Sequence, residues 1–187
     1  PDIGSYPSGV FSPVHASIHL ADDAIDQMLY AAWRSGLLCY TLQGSDSPLP
    51  LDTGLLGNLT GHAFDELFPT SAPVSLQTLP SVPLTANLGG SHDINVDVKD
   101  LGLEFYAELD GRPAHLLTIG LTGPIGADLS FDGSTGNLGI VPSIDPAQLT
   151  PAVTYNEFVP DANDTIVESF GGVFGTLVDS LLGSLLG

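Results

Sequence analysis

Apolar side chains fall on every second position from Val14 to Leu20, with Val14, Ala16, Ile18 and Leu20 on one side and His15, Ser17 and His19 on the other. That alternation predicts a half-buried strand. The period then changes. Ile25, Met28, Leu29, Ala32 and Trp33 recur at helical spacing behind Asp22 and Asp23, and Gly36 follows. Here the pattern predicts an amphipathic helix with an aspartate as N-cap and a glycine stop. "LLCYTL" (37–42) returns to strand character, "QGSDSPLP" is a loop, and 52–69 reads as one or two short helices. Asp52 caps that stretch, Pro69 ends it, and Leu55, Leu56, Leu59, Phe64 and Leu67 form its apolar set. Ahead of all this, residues 1–13 carry prolines and glycines and read as an irregular N-terminal arm.

Through the middle of the chain the period is two. Ile94, Val96 and Val98 alternate with Asp93, Asn95, Asp97 and Lys99, and Leu103, Phe105 and Ala107 alternate with Glu104, Tyr106 and Glu108. "DGRP" and "DGSTGN" have the turn chemistry of hairpins. The expectation is an antiparallel meander with one apolar and one wet face. Residues 141–164 are punctuated by proline and read as edge strand or connector.

The chain closes on "TIVESFGGVFGTLVDSLLGSLLG". Ile166, Phe170, Val173, Phe174, Leu177, Val178, Leu181, Leu182 and Leu185 make one broad stripe, the signature of an enclosed helix. Gly171, Gly172, Gly175 and Gly183 each cost about 1 kcal/mol against alanine inside a helix. Burial of the apolar stripe, at about 1.5–3 kcal/mol per side chain, outweighs that loss. The glycines are expected to admit something close: a sheet, a helix or an alkyl chain.

Charge narrows the partners. Against 22 Asp and Glu stand 3 Lys and Arg, a formal net charge of −19. Arg34, Lys99 and Arg112 are too few to neutralise phosphates, so nucleic acid is excluded as a partner and strong binding to an anionic membrane surface is not expected. Acidity on a chain that is 43% hydrophobic keeps it soluble. The expected setting is extracellular, periplasmic or the cell envelope, and Pro1 in place of Met points to a processed protein or a fragment. Cys39, the single cysteine, rules out an internal disulfide and reads as a buried thiol.

Catalytic and metal chemistry find little support. His15 and His19 share a strand face without a ligand set around them. His62, His92 and His115 are isolated. "DGSTGN" lacks the spacing of a calcium loop and reads as a turn. Asp93, Asp97 and Asp100 read as a solvated face, and no GxSxG elbow or Cys/His pairing marks a nucleophile. Asn58 and Asn163 begin glycosylation triplets, and Asn163 also stands where an N-cap for the last helix belongs.

The stretch "HLADDAIDQMLYAAWRSGLL", followed by a connector ending "ELFP", an antiparallel meander and a long apolar closing helix, resembles one half of the bactericidal/permeability-increasing protein and lipid-transfer family, most like its C-terminal half. That resemblance spans residues 14–187 and implies a single α+β domain: a strongly curved antiparallel sheet rolled around the long C-terminal helix, with a second amphipathic helix. It implies binding, with transfer as an extension, of a lipid or other long apolar ligand between sheet and helices, and no enzymatic activity. On that reading Ile25, Leu29, Ala32, Trp33, Val96, Val98, Phe105, Phe170, Val173, Phe174, Leu177 and Leu181 line the ligand. No cofactor is expected, a phospholipid or fatty acid being the ligand itself. Family members carry two halves and this chain one, so a second half-domain or a second copy is the expected protein partner. The basic clusters of members that bind lipopolysaccharide are absent. A structural module with a filled core that docks such a partner is the competing reading, and an esterase the weakest.

Overall fold

The computed structural model describes residues 21–43 and 51–186, with side chains up to residue 175. The arm over 1–13 and the strand over Val14–Leu20 lie outside the described residues.

Helix α1 forms over Asp22–Arg34 where the helical spacing begins. Its N-cap is Ala21, and Asp22 and Asp23 stand in the first turn. There Asp22 accepts from the Asp23 N–H at 3.0 Å, and both charges act on the positive end of the helix. Gly36 follows the helix at φ +75°, the left-handed stop the sequence predicts. Strand β1 covers Thr41–Gln43 and buries only Leu42. Cys39, just before it, is exposed, which corrects the expected buried thiol: the strand starts at Thr41, past the cysteine and well after the apolar run begins at Leu37. Asp52 accepts from the Leu55 N–H at 3.1 Å and starts α2, Thr53–Leu59.

Strands β2 (Val74–Pro80), β3 (Thr85–Leu88), β4 (Ile94–Leu109), β5 (Arg112–Asp132), β6 (Asn137–Ser143) and β7 (Thr150–Tyr155) join β1 in a seven-stranded sheet. All its pairings are antiparallel. β4 and β5 are its spine. At one end β1, β2, β4, β5 and β7 lie side by side; at the other end the order is β3, β4, β5, β6. Among the described residues the sheet does not close. Asp110 and Gly111 make the β4–β5 turn at φ 51° and 74°, and Gly136 closes the β5–β6 turn by donating to the Asp132 carbonyl at 2.7 Å. Residues 141–164, expected as edge or connector, supply β7, an edge strand with proline at its second position.

Two irregularities set which side chains face which way. Between Val98 and Leu101 the register with β5 slips; the extra residue lets Asp100 take φ 52° and leaves Val98 and Leu101 on one face. Between Phe105↔Leu117 and Tyr106↔His115 the slip falls in β5, where consecutive Leu116 and Leu117 are both buried.

Helix α3, Asn163–Leu186, packs against α2 and β7. Its first turns send Ile166, Phe170 and Phe174 into a core shared with Leu56, Leu59, Phe64, Phe105 and Ile119. Asn163 does not cap it: its side-chain oxygen accepts from Asn156 Nδ2 at 2.8 Å. A Cβ added at Gly171, Gly172 or Gly175 would meet nothing within 4 Å. The close neighbour expected at these three glycines is therefore neither the sheet nor another described helix of this chain. These positions lie off the buried 166–170–174 row.

Candidate functional site

The side chains expected to line a ligand divide into two groups. Phe105, Phe170 and Phe174 are buried together in the core and Val173 packs half-buried against it. The Phe170 and Phe174 rings meet at 5.0 Å, tilted by 30°. Ile25, Leu29, Ala32 and Trp33 are half-buried on α1, a helix that meets β3. Near it lie Val96, half-buried, and the buried Val98 and Ala86, neither of which joins the main core. Trp33 donates its indole N–H to the Pro80 carbonyl at 2.9 Å, and Asp26 accepts from the Ala86 N–H at 2.5 Å. These bonds pin α1 along the sheet at the end of β2 and at β3. The side chains of Leu177 and Leu181 lie outside those described.

One face of the sheet connects the two groups. Direct partners share a face, so Leu117, Ile119, Leu121, Ile125, Ala127, Leu129 and Phe131 form one row on β5 by alternation. Val96 and Ile94 oppose Ile125 and Ala127 from β4, and Ile140 and Leu138 oppose Leu129 and Phe131 from β6. Beneath α2 and α3 the row is sealed: Leu117, Ile119 and Leu121 are buried. Farther along, the same row emerges into solvent, with Leu129 45%, Phe131 70%, Leu138 66% and Ile140 61% exposed. Leu88, opposite Ile94 on β3, adds to the exposed end. Contiguous apolar surface of this kind makes this end of the sheet a candidate binding surface. The alternation of these residues is legible in the sequence; their exposure is not, because it depends on where the helices stop.

The opposite face is polar and aromatic. His115 lies between Tyr106 at 4.7 Å and Tyr155 at 4.1 Å, the latter pair tilted by only 5°. The Tyr106 hydroxyl donates to Glu104 at 2.9 Å, and His115 Nε2 pairs with Thr118 Oγ1 at 2.7 Å. Burial and the Glu104 carboxylate hold the Tyr106 phenol above its ordinary value of 10.0, so it stays neutral. A cleft of about 240 Å³ opens beside Tyr106, bordered by Gln43, Pro73, Ser75, Glu108 and Pro113. His115 stands isolated in the sequence because its aromatic partners come from other strands.

Among the described residues no cluster of three or more His, Cys, Asp or Glu side chains is placed to hold a metal. Asp132 accepts from Ser134 and Thr135 and is held at about 2, first by the Ser134 and Thr135 hydroxyls, as a turn aspartate would be. Asp93 is spent on the Leu129 N–H. His62 and His92 each pair with one aspartate, Asp65 and Asp128. No described helix is long and apolar enough to cross a membrane.

No family model matches this chain, and no curated protein matches it. Among solved structures it is similar in fold to the crystal structure of lipopolysaccharide binding protein, with a TM-score of 0.59 and 14% identity. The match covers 95% of this chain and 39% of that one. At that identity the likeness is one of fold, an antiparallel sheet with packed helices. The chain spans well under half of the length of that protein.

Proposed function

We propose that this protein binds a lipid or other long apolar ligand, with no catalytic step of its own, and carries it in an extracellular or cell-envelope setting. The observation that carries this reading is the apolar row of β5 and β6, which leaves the core and continues into solvent at Leu129, Phe131, Leu138 and Ile140. In the finer form of the proposal the sheet bends around α3, and the acyl chains of a phospholipid or fatty acid run from this exposed end toward α1 and α3. The fold likeness to a lipopolysaccharide binding protein supports the ligand class. The charge of −19 favours neutral or zwitterionic head groups, since an anionic one would meet repulsion.

Native mass spectrometry and solvent extraction of the purified protein test the reading. Co-purifying lipid, or saturable uptake of a fluorescent fatty acid that falls in Phe131→Asp, is the expected result. A protein that carries no lipid and takes none up overturns it.

The same exposed residues favour a second reading, in which the apolar end docks a second half-domain or a second copy of this chain. Sedimentation then shows association that Phe131→Asp abolishes, with no lipid present in either form.

A further inference from the structure

The polar face holds a second site that the lipid reading does not use. Side chains on this face follow one another across the strands in register: Gln43 on β1 faces Ser75 on β2, Ser75 faces Tyr106 on β4, and Tyr106 faces His115 on β5. Beyond them Tyr155 on β7 stacks on His115. The Tyr106 and His115 ring centres are 4.7 Å apart and tilted by 22°. That separation matches the spacing of neighbouring strands, so the rings stand side by side as a stack crossing the sheet. Tyr155 and Tyr106 cover His115, and His115 covers one side of Tyr106. On its other side Tyr106 meets a serine, too small to fill a place in the stack, and the cleft of about 240 Å³ lies there.

The geometry points to this slot as a binding site for a small organic cation carrying an alkylated ammonium centre, seated on the open face of Tyr106. A cation is attracted to the negative face of an aromatic ring, most strongly where water is partly excluded. The Tyr106 hydroxyl donates to the Glu104 carboxylate, which makes the ring richer in electrons. Glu108 borders the slot and is exposed, ready to face the positive charge. Pro73 and Pro113 give apolar walls that suit N-methyl groups. The nearest cation in the sequence, Arg112, pairs with Leu109, a register position belonging to the opposite, apolar face. The net charge of −19 draws cations to the molecule as a whole.

The test is an NMR titration of the full chain with tetramethylammonium chloride, against sodium chloride at equal ionic strength and against tert-butanol as a neutral probe of similar shape. Saturable shifts centred on Tyr106, weak or absent with tert-butanol, are expected. Ser75→Leu, which fills the slot, should lower the affinity about tenfold, and Tyr106→Ala at least severalfold, the scale of a partly exposed cation–π contact. Glu108→Gln, at an exposed position that leaves packing alone, should weaken binding and serves if Ser75→Leu does not fold. The ammonium group has two sources, a soluble amine or a lipid head group. Vesicles of phosphatidylcholine distinguish them: retention on vesicles that Ser75→Leu abolishes assigns the head group, and binding of the free ion alone assigns a soluble ligand. Absence of saturation by both probes, equal affinity for tert-butanol, or binding unchanged in Ser75→Leu and Glu108→Gln overturns the site. Phe131→Asp must leave the titration unchanged, which separates this result from the fate of the apolar face.

Discussion

Leu129 on β5 and Ile140 on β6 face each other as direct cross-strand partners, and both remain largely in solvent. They continue the row that, closer to α3, includes the fully buried Ile119. A pair so exposed contributes little to folding, since surface substitutions usually shift stability by no more than about 0.5 kcal/mol. Leu129→Ser with Ile140→Ser is expected to leave the urea midpoint nearly unchanged while reducing uptake of a fluorescent fatty acid. Equal uptake by the double variant and the parent would remove this face from the ligand site.

Phe105 lies at the other end of the same face, fully buried and opposite Leu76 and Leu117. Phe105→Ala is expected to cost about 3–5 kcal/mol, the usual range for an aromatic lost from a packed core. Chemical denaturation measures it directly. A loss below about 1 kcal/mol would mean that the core beneath α2 and α3 is not packed as described.

Gly171 and Gly172 are exposed on α3 with open space where a side chain would go. Each Gly→Ala change should therefore stabilise the protein, by up to about 1 kcal/mol from helix propensity. Thermal melts of the single and double variants test this. Destabilisation would show that these glycines meet a partner after all, a ligand or a second chain.

Asp132 is held at about 2 against an ordinary 3.8 by the Ser134 and Thr135 hydroxyls and the Ser134 N–H. A carboxylate with a lowered value in the folded state supports its turn fully above the ordinary value, and that support is lost as pH falls through about 2. Carbon-detected NMR of the side chain should place the titration midpoint near that value in the parent and nearer the ordinary one in the Ser134→Ala and Thr135→Ala double variant. An ordinary midpoint in the parent would show that the turn hydroxyls do not engage the carboxylate.

The α1 helix, the short helix after Asp52, the alternation of β4 and the hairpin turns were all legible in the sequence. Each follows from local rules: apolar side chains repeat with the period of the element, and Gly36, Asp110–Gly111 and Gly136 stand where the backbone turns left-handed. The bulge that buries both Leu116 and Leu117 was not legible, because a register slip belongs to a pair of strands and neither carries it alone. Nor was Asn163's bond to Asn156, which removed it as a cap. The surroundings of the α3 glycines were not legible for a related reason. Sequence shows that a residue is small, and only the packed chain shows whether anything stands beside it.

By itself the sequence determined the element types, the antiparallel class, the two-faced character of the sheet, and a strongly acidic net charge of −19. Those properties are sums over near neighbours or over composition. Tertiary structure alone decided that Phe105, Phe170 and Phe174 fill one core while Ile25 and Trp33 lie apart along β3, and that the apolar row runs out from beneath its helices at Leu129. It also decided that Ser75, Tyr106, His115 and Tyr155 line up across four strands. Such groupings join residues far apart in the chain, and the register and reach of the packed elements bring them together.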